Sequence, residues 1–113
     1  MPVVARICGL PAQFKARENV SVSHLVEESG YLAAPAVLTV ESVSTYLREH
    51  PELVEAWFGY SQDKRTPSGW YLVERPRETF EVGEYPKGDC ISIADRVSAC
   101  AEFIVREIRS IAG

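Results

Sequence analysis

"WYLVERPRETFEVGEYPKGDCISIADRVSACAEFIVREIRSI", residues 70–111, contains both hydrophobic periods from which a fold is built. The first part alternates. In "FEVGEY", Phe80, Val82 and Glu84 take one side of a strand and Glu81, Gly83 and Tyr85 the other. "WYLVE" and "CISI" read as two further strands, bounded by Pro76 and Pro86, with "PKGD" as a turn between. Two tight connections in succession predict an antiparallel meander. The second part switches to helical spacing. Val97, Cys100, Ala101, Ile104, Ile108 and Ile111 make one stripe, widened by Phe103 and Val105. Arg96, Glu102, Arg106, Glu107 and Arg109 fall on the wetter side, and Asp95 and Arg109 suit the two ends of the helix dipole. Three strands cannot bury a face by themselves, so this helix is predicted to pack across them.

Upstream, helical signals dominate. In "HPELVEAWFGYS" (50–61) His50 is placed as the cap, Pro51 as the first helical residue and Glu52 in the first turn. Leu53, Val54, Trp57, Phe58 and Tyr60 form its broad apolar face. Thr39 caps a preceding helix carrying Val40, Val43 and Leu47, and Ser21 or Ser23 caps a short one over "VSHLVEESG". Pro35 rules out a long helix through "YLAAPAV". "VVARICGL" (3–10) reads as a short strand and "PAQFKARENV" (11–20) as a connecting segment or one helical turn. Residues 1–20 therefore either add a strand to the sheet or stay partly mobile. The expectation is one α+β domain over residues 1–113: N-terminal helices, then a three-stranded antiparallel meander packed by a long C-terminal helix.

Apolar residues make up 46% and charged residues 25% of the 113, which suits a folded domain rather than a disordered one. No apolar run is long enough to span a bilayer, and the start lacks the pattern of a signal peptide, so a cytoplasmic protein without membrane contact is expected. The net charge of −4 argues against nucleic acid as a partner. Charge is also unevenly placed. Residues 41–63 and 81–102 are acidic, and a basic strip of Lys64, Arg65, Arg75 and Arg77 separates them. Cys8, Cys90 and Cys100 form no metal-ligand or disulfide pattern, and Cys90 and Cys100 read as small buried hydrophobes.

Motifs for catalysis are missing: the chain has no GxSxG, P-loop, dinucleotide turn or HExxH. A Cys8–His24 dyad and a Glu74/Glu84 carboxylate pair across the hairpin can be drawn, but both residue sets have simpler structural roles. One stretch concentrates chemistry. "YSQDKRTPSGWY" (60–71) sets Asp63, Lys64 and Arg65 among aromatic residues, and Tyr, Trp and Arg are the types that carry hot spots at protein interfaces. A purely structural role competes with this, with Trp57 and Trp70 in the core and Arg65 capping the helix before it.

"YSQDKRTPSGWY", with "FEVGEYPKG" and the closing "ACAEFIVREI", resembles small bacterial immunity proteins of contact-dependent growth inhibition. The resemblance covers residues 50–110; the first forty residues contribute nothing to it. It implies a cytoplasmic, non-enzymatic protein that neutralises a cognate toxin domain, often a nuclease, by direct 1:1 binding, and it transfers no residue roles. The candidate partner-binding residues are Glu52, Glu55, Tyr60, Asp63, Lys64, Arg65, Trp70, Tyr71, Glu81 and Glu84. No catalytic residue, cofactor or metal is expected. The alternatives are a small ligand-binding or enzymatic domain using residues 60–71 and a structural subunit of a larger complex.

Overall fold

The computed structural model describes residues 3–16, 20–63, 69–85, 88 and 90–112, with Asp63 placed by its backbone alone. In chain order the elements are α1 (Val3–Cys8), α2 (Leu10–Ala16), α3 (Val22–Glu28), two single 3-10 turns (Tyr31–Ala33 and Pro35–Val37), α4 (Val40–Glu49), α5 (Glu52–Asp63), β1 (Gly69–Arg75), β2 (Thr79–Tyr85), β3 (Cys90–Ile93) and α6 (Arg96–Ala112). This is the α+β order read from the sequence.

Ser21 and Thr39 serve as the caps the sequence predicts, and Asp95, expected only to suit the helix dipole, caps as well. Ser21 Oγ accepts the His24 N–H at 3.0 Å. Thr39 and Ser42 cap each other reciprocally at 3.0 Å in both directions, the serine doing the work a glutamate does in the usual box. Asp95 Oδ2 accepts the Ser98 N–H at 2.9 Å and starts α6. His50 serves two helices with its backbone. Its N–H closes α4 on Leu47 O, and its C=O receives the Leu53 N–H that opens α5.

The N-terminus departs from the sequence reading. Residues 3–8, expected as a strand, form α1, and Pro11 sits in the first turn of α2, where its missing N–H costs nothing. Six residues do not hold a helix on their own. Here tertiary contacts decide: Ile7 and Cys8 are fully buried, and the indole Nε1 of Trp57 donates to Cys8 O at 2.8 Å. The sheet therefore gains no strand from this segment and keeps the order β1-β2-β3.

The strands pair antiparallel with Leu72 opposite Val82 and Val82 opposite Ile91. One face presents Leu72, Phe80 and Val82, all buried, to α5 and α6. α6 buries Ala99, Cys100, Ala101, Phe103, Ile104, Val105, Glu107 and Ile108, more than half its girth, because α3, α4, α5 and the sheet all contact it. Among the described residues no helix is long and apolar enough to cross a membrane.

Register also corrects two readings. Glu74 faces Phe80 while Glu84 faces Trp70, so four residues of strand separate the two glutamates. That is roughly 13 Å along the strand, beyond the spacing of a glycosidase pair. Cys90 is exposed, because β3 is the last strand of the sheet and this residue lies on the face away from the helices; Cys100 is buried as expected.

At the middle of the outer edge of β1 one side chain takes the place of a neighbouring strand. Ser61 Oγ, near the end of α5, accepts the Leu72 N–H at 2.8 Å and donates to the Leu72 C=O at 3.0 Å, replacing a missing neighbour strand. Ser61→Ala leaves both groups without their partner in a part-buried place. It is expected to cost about 1–3 kcal/mol in urea unfolding. An unchanged midpoint would mean that water serves this edge as well as the hydroxyl does.

Candidate protein-binding face

Alternation places Tyr71, Val73 and Arg75 of β1, Thr79, Glu81, Gly83 and Tyr85 of β2, and Cys90 and Ser92 of β3 on the sheet face opposite the helices. Among the described elements, none packs on this face. Tyr85 is 62% exposed, and Arg75, Cys90 and Ser92 are exposed as well.

Glu81 lies directly opposite Val73, and therefore diagonal to both Tyr71 and Arg75 on the neighbouring strand. Its carboxylate uses both diagonals. Tyr71 Oη donates to Oε2 at 2.5 Å, while Arg75 Nε and Nη2 reach the two carboxylate oxygens at 3.3 Å each. The donated hydrogen bond from Tyr71, then those from Arg75, hold the Glu81 carboxyl below its ordinary range. The same bond pushes the Tyr71 phenol from 10 up to about 12. Three side chains that would otherwise wave in solvent are fixed in one arrangement. Gly83, opposite both Tyr71 and Cys90, adds no side chain between them.

A second polar cluster forms on the helical side, where the ends of α4, α5 and α6 converge. Arg48 pairs with Asp95 at 3.3 Å, Arg96 with Glu55 at 2.5 Å, and His50 Nδ1 lies 3.7 Å from Glu52. The Arg96 guanidinium also sits 4.5 Å above the Phe58 ring. Serine and arginine partners draw the Asp95 carboxyl below its usual range, Ser98 foremost. These exposed pairs add little stability each, but they fix where the charges lie.

The ten candidate residues thus separate. Tyr71 and Glu81 belong to the open sheet face. Glu52 and Glu55 stand on the helix-end cluster. Glu84 lies on the opposite side of β2 from Glu81, paired in register with Trp70. Trp70 is half-buried against the core, with the Arg106 guanidinium 5.0 Å over its ring, whereas Trp57 is fully buried. Tyr60 points inward: its hydroxyl donates to Glu107 Oε2 at 2.7 Å, its ring packs edge-on to Trp57, and burial, then Glu107, raise its pKa. Lys64, Arg65 and the Asp63 side chain lie outside the described residues. Arg75, Tyr85 and Cys90 are not among the residues the sequence marks as partner-binding; alternation along β2, carried to β1 and β3, identifies them.

The catalytic drawings find no support in this geometry. Cys8 is fully buried, and burial pushes its thiol up to about 12, while the exposed His24 bonds Glu28 at 2.9 Å. A cavity of 240 Å³ opens between α1, α2 and α3, lined by Arg6, Leu10, Gln13, Leu25, Glu28 and Ser29, and none of the described residues of the 60–71 run lines it. The apolar face of α5 is used internally by Val54, Trp57 and Phe58.

The Tyr71–Glu81 bond makes a pH prediction with a definite sign. Tyr71 has its pKa raised on folding, so its contribution is complete below pH 10 and lost as pH rises through about 12. Glu81 has its pKa lowered, so its contribution holds above the ordinary carboxylate pKa and disappears on acidification. Following the Tyr71 ring carbon by NMR should give a midpoint near 12 that falls back toward 10 in Glu81→Gln. A midpoint unmoved by that substitution would show that the hydrogen bond is not formed in solution. Compared with protein-family models, with curated proteins and with solved structures, the chain matches none.

Proposed function

We propose that this chain is a protein-binding domain that neutralises a cognate bacterial toxin domain, a nuclease, by direct contact, with one toxin domain held per chain. The single observation behind this reading is the open sheet face. It offers Tyr71, Arg75 and Tyr85, residue types that anchor interfaces, and two of the three are already ordered by Glu81 before any partner arrives. Preordered side chains lose less entropy on binding than free ones. The resemblance of residues 50–110 to growth-inhibition immunity proteins points to the same class. On this reading the protein acts in the cytoplasm, without turnover of a substrate.

The net charge of −4 has a separate role here. A basic nuclease is attracted over distance by the excess of acids on the chain, Glu52 and Glu55 among them, while the aromatic anchors set how long it stays.

Co-expression with the protein encoded directly upstream tests the reading. A stable complex that abolishes the partner's toxicity is expected. Within it, Tyr85→Ala should speed dissociation at least tenfold without altering the fold, and the doubly reversed Glu52→Lys/Glu55→Lys chain should slow association and flatten its salt dependence. Absence of a complex, with no toxicity to relieve, would contradict the proposal. A complex indifferent to Tyr85 and Arg75 would place the interface elsewhere.

A further inference from the structure

We infer that the free edge of β3 is a self-association surface, at which a second copy of this chain pairs antiparallel to give a continuous six-stranded sheet. The inference is independent of the toxin reading. It begins at the opposite edge. Because Ser61 takes both backbone groups of Leu72, that residue is turned away from β2, and Leu72–Val82 is a pair without mutual hydrogen bonds. Antiparallel ladders alternate, so Val82 must direct its own groups to Ile91. Ile91 and Ile93 then bond inward to β2, and Cys90 and Ser92 direct their N–H and C=O groups outward, where no described element meets them.

This edge lacks the usual protection. Cys90–Ile93 contains no Pro, Lys or other charge, and Ile91 is 37% exposed. Pairing about a two-fold axis through Ile91 sets Cys90 of each copy opposite Ser92 of the other. All four outward peptide groups of these residues on each copy are then used, and the two Ile91 side chains meet at the axis on the helix-bearing face. A second copy fits better than an arbitrary strand for a reason of closure. Each chain has one edge that no described element covers and one at which α5 holds both peptide groups of Leu72, the middle residue of β1, so self-pairing stops at a dimer instead of continuing into a fibre.

The test is sedimentation velocity of the full chain over a wide concentration range in reductant, with amide hydrogen exchange alongside. A monomer–dimer equilibrium is expected, with exchange at Cys90 and Ser92 slowing as the dimer forms. Ser92→Pro removes an outward N–H that β2 does not use, so it should abolish the dimer while far-UV circular dichroism stays native. Ile91→Lys, which brings two ammonium groups together at the axis, should do the same should the proline variant misfold. A chain that remains monomeric at every concentration overturns the inference. So does a dimer that persists in folded Ser92→Pro or Ile91→Lys, or one that vanishes in reductant and is therefore a Cys90 disulfide. Protection of Cys90 and Ser92 that appears only with a foreign partner overturns it too, by giving the edge a different occupant.

Discussion

Everything in this molecule leans on α6. A single amphipathic helix usually buries one stripe, but this one is contacted by three other helices and by the sheet. Ile104 and Ile108 are completely removed from solvent, as are Phe103 and Cys100. Burial of each large aliphatic side chain is worth about 1.5–3 kcal/mol. Together with α5 the helix covers Leu72, Phe80 and Val82 on one face of the sheet and therefore decides which face stays open. That asymmetry leads directly to the surface chemistry: Tyr71, Arg75, Glu81 and Tyr85 are accessible because Leu72, Phe80 and Val82 have already been taken.

Polar groups at the seams of the core give this packing its specificity. Hydrophobic contact alone would tolerate a sliding helix, whereas a buried donor must find its acceptor. Trp57 bonds Cys8 O and fixes α1 against α5. Tyr60 bonds Glu107 and fixes α5 against α6. Arg109 reaches Leu38 O, tying the end of α6 to the loop before α4. Ser61 sets where α5 meets β1. Each of these bonds joins two different parts of the fold, and in three of the four the partners are more than forty residues apart.

Those long-range bonds mark where the sequence was readable and where it was not. The three strands, α4, α5 and α6 were legible because period and caps agreed at every level. Val3–Cys8 was not: a short β-branched run has a strand signature, and only its tertiary partners make it a helix. The Glu74/Glu84 pairing failed for a related reason. The turn around Arg77 and Glu78, both with positive φ, sets a register that composition does not disclose. Of the candidate site, Tyr71 and Glu81 could be found from alternation and do share a face. Residue type marks Tyr60 as an interface anchor, whereas its place on the apolar face of α5 already directs it inward to Glu107. Cys90 reads as a small buried hydrophobe because it lies in a strand, whereas in this last strand of the sheet Cys90, Ile91 and Ser92 are all exposed.

The central claim is that the sheet face not used by α6 is the face used for binding. The most direct measurement is backbone and side-chain NMR of the labelled chain, titrated with the protein encoded immediately upstream. The account predicts that the largest shifts fall on Tyr71, Arg75, Glu81 and Tyr85, while the Trp57 indole signal stays in place. Shifts concentrated instead on Glu52, Glu55 and Arg96, or around the cavity beside Arg6 and Gln13, would contradict it.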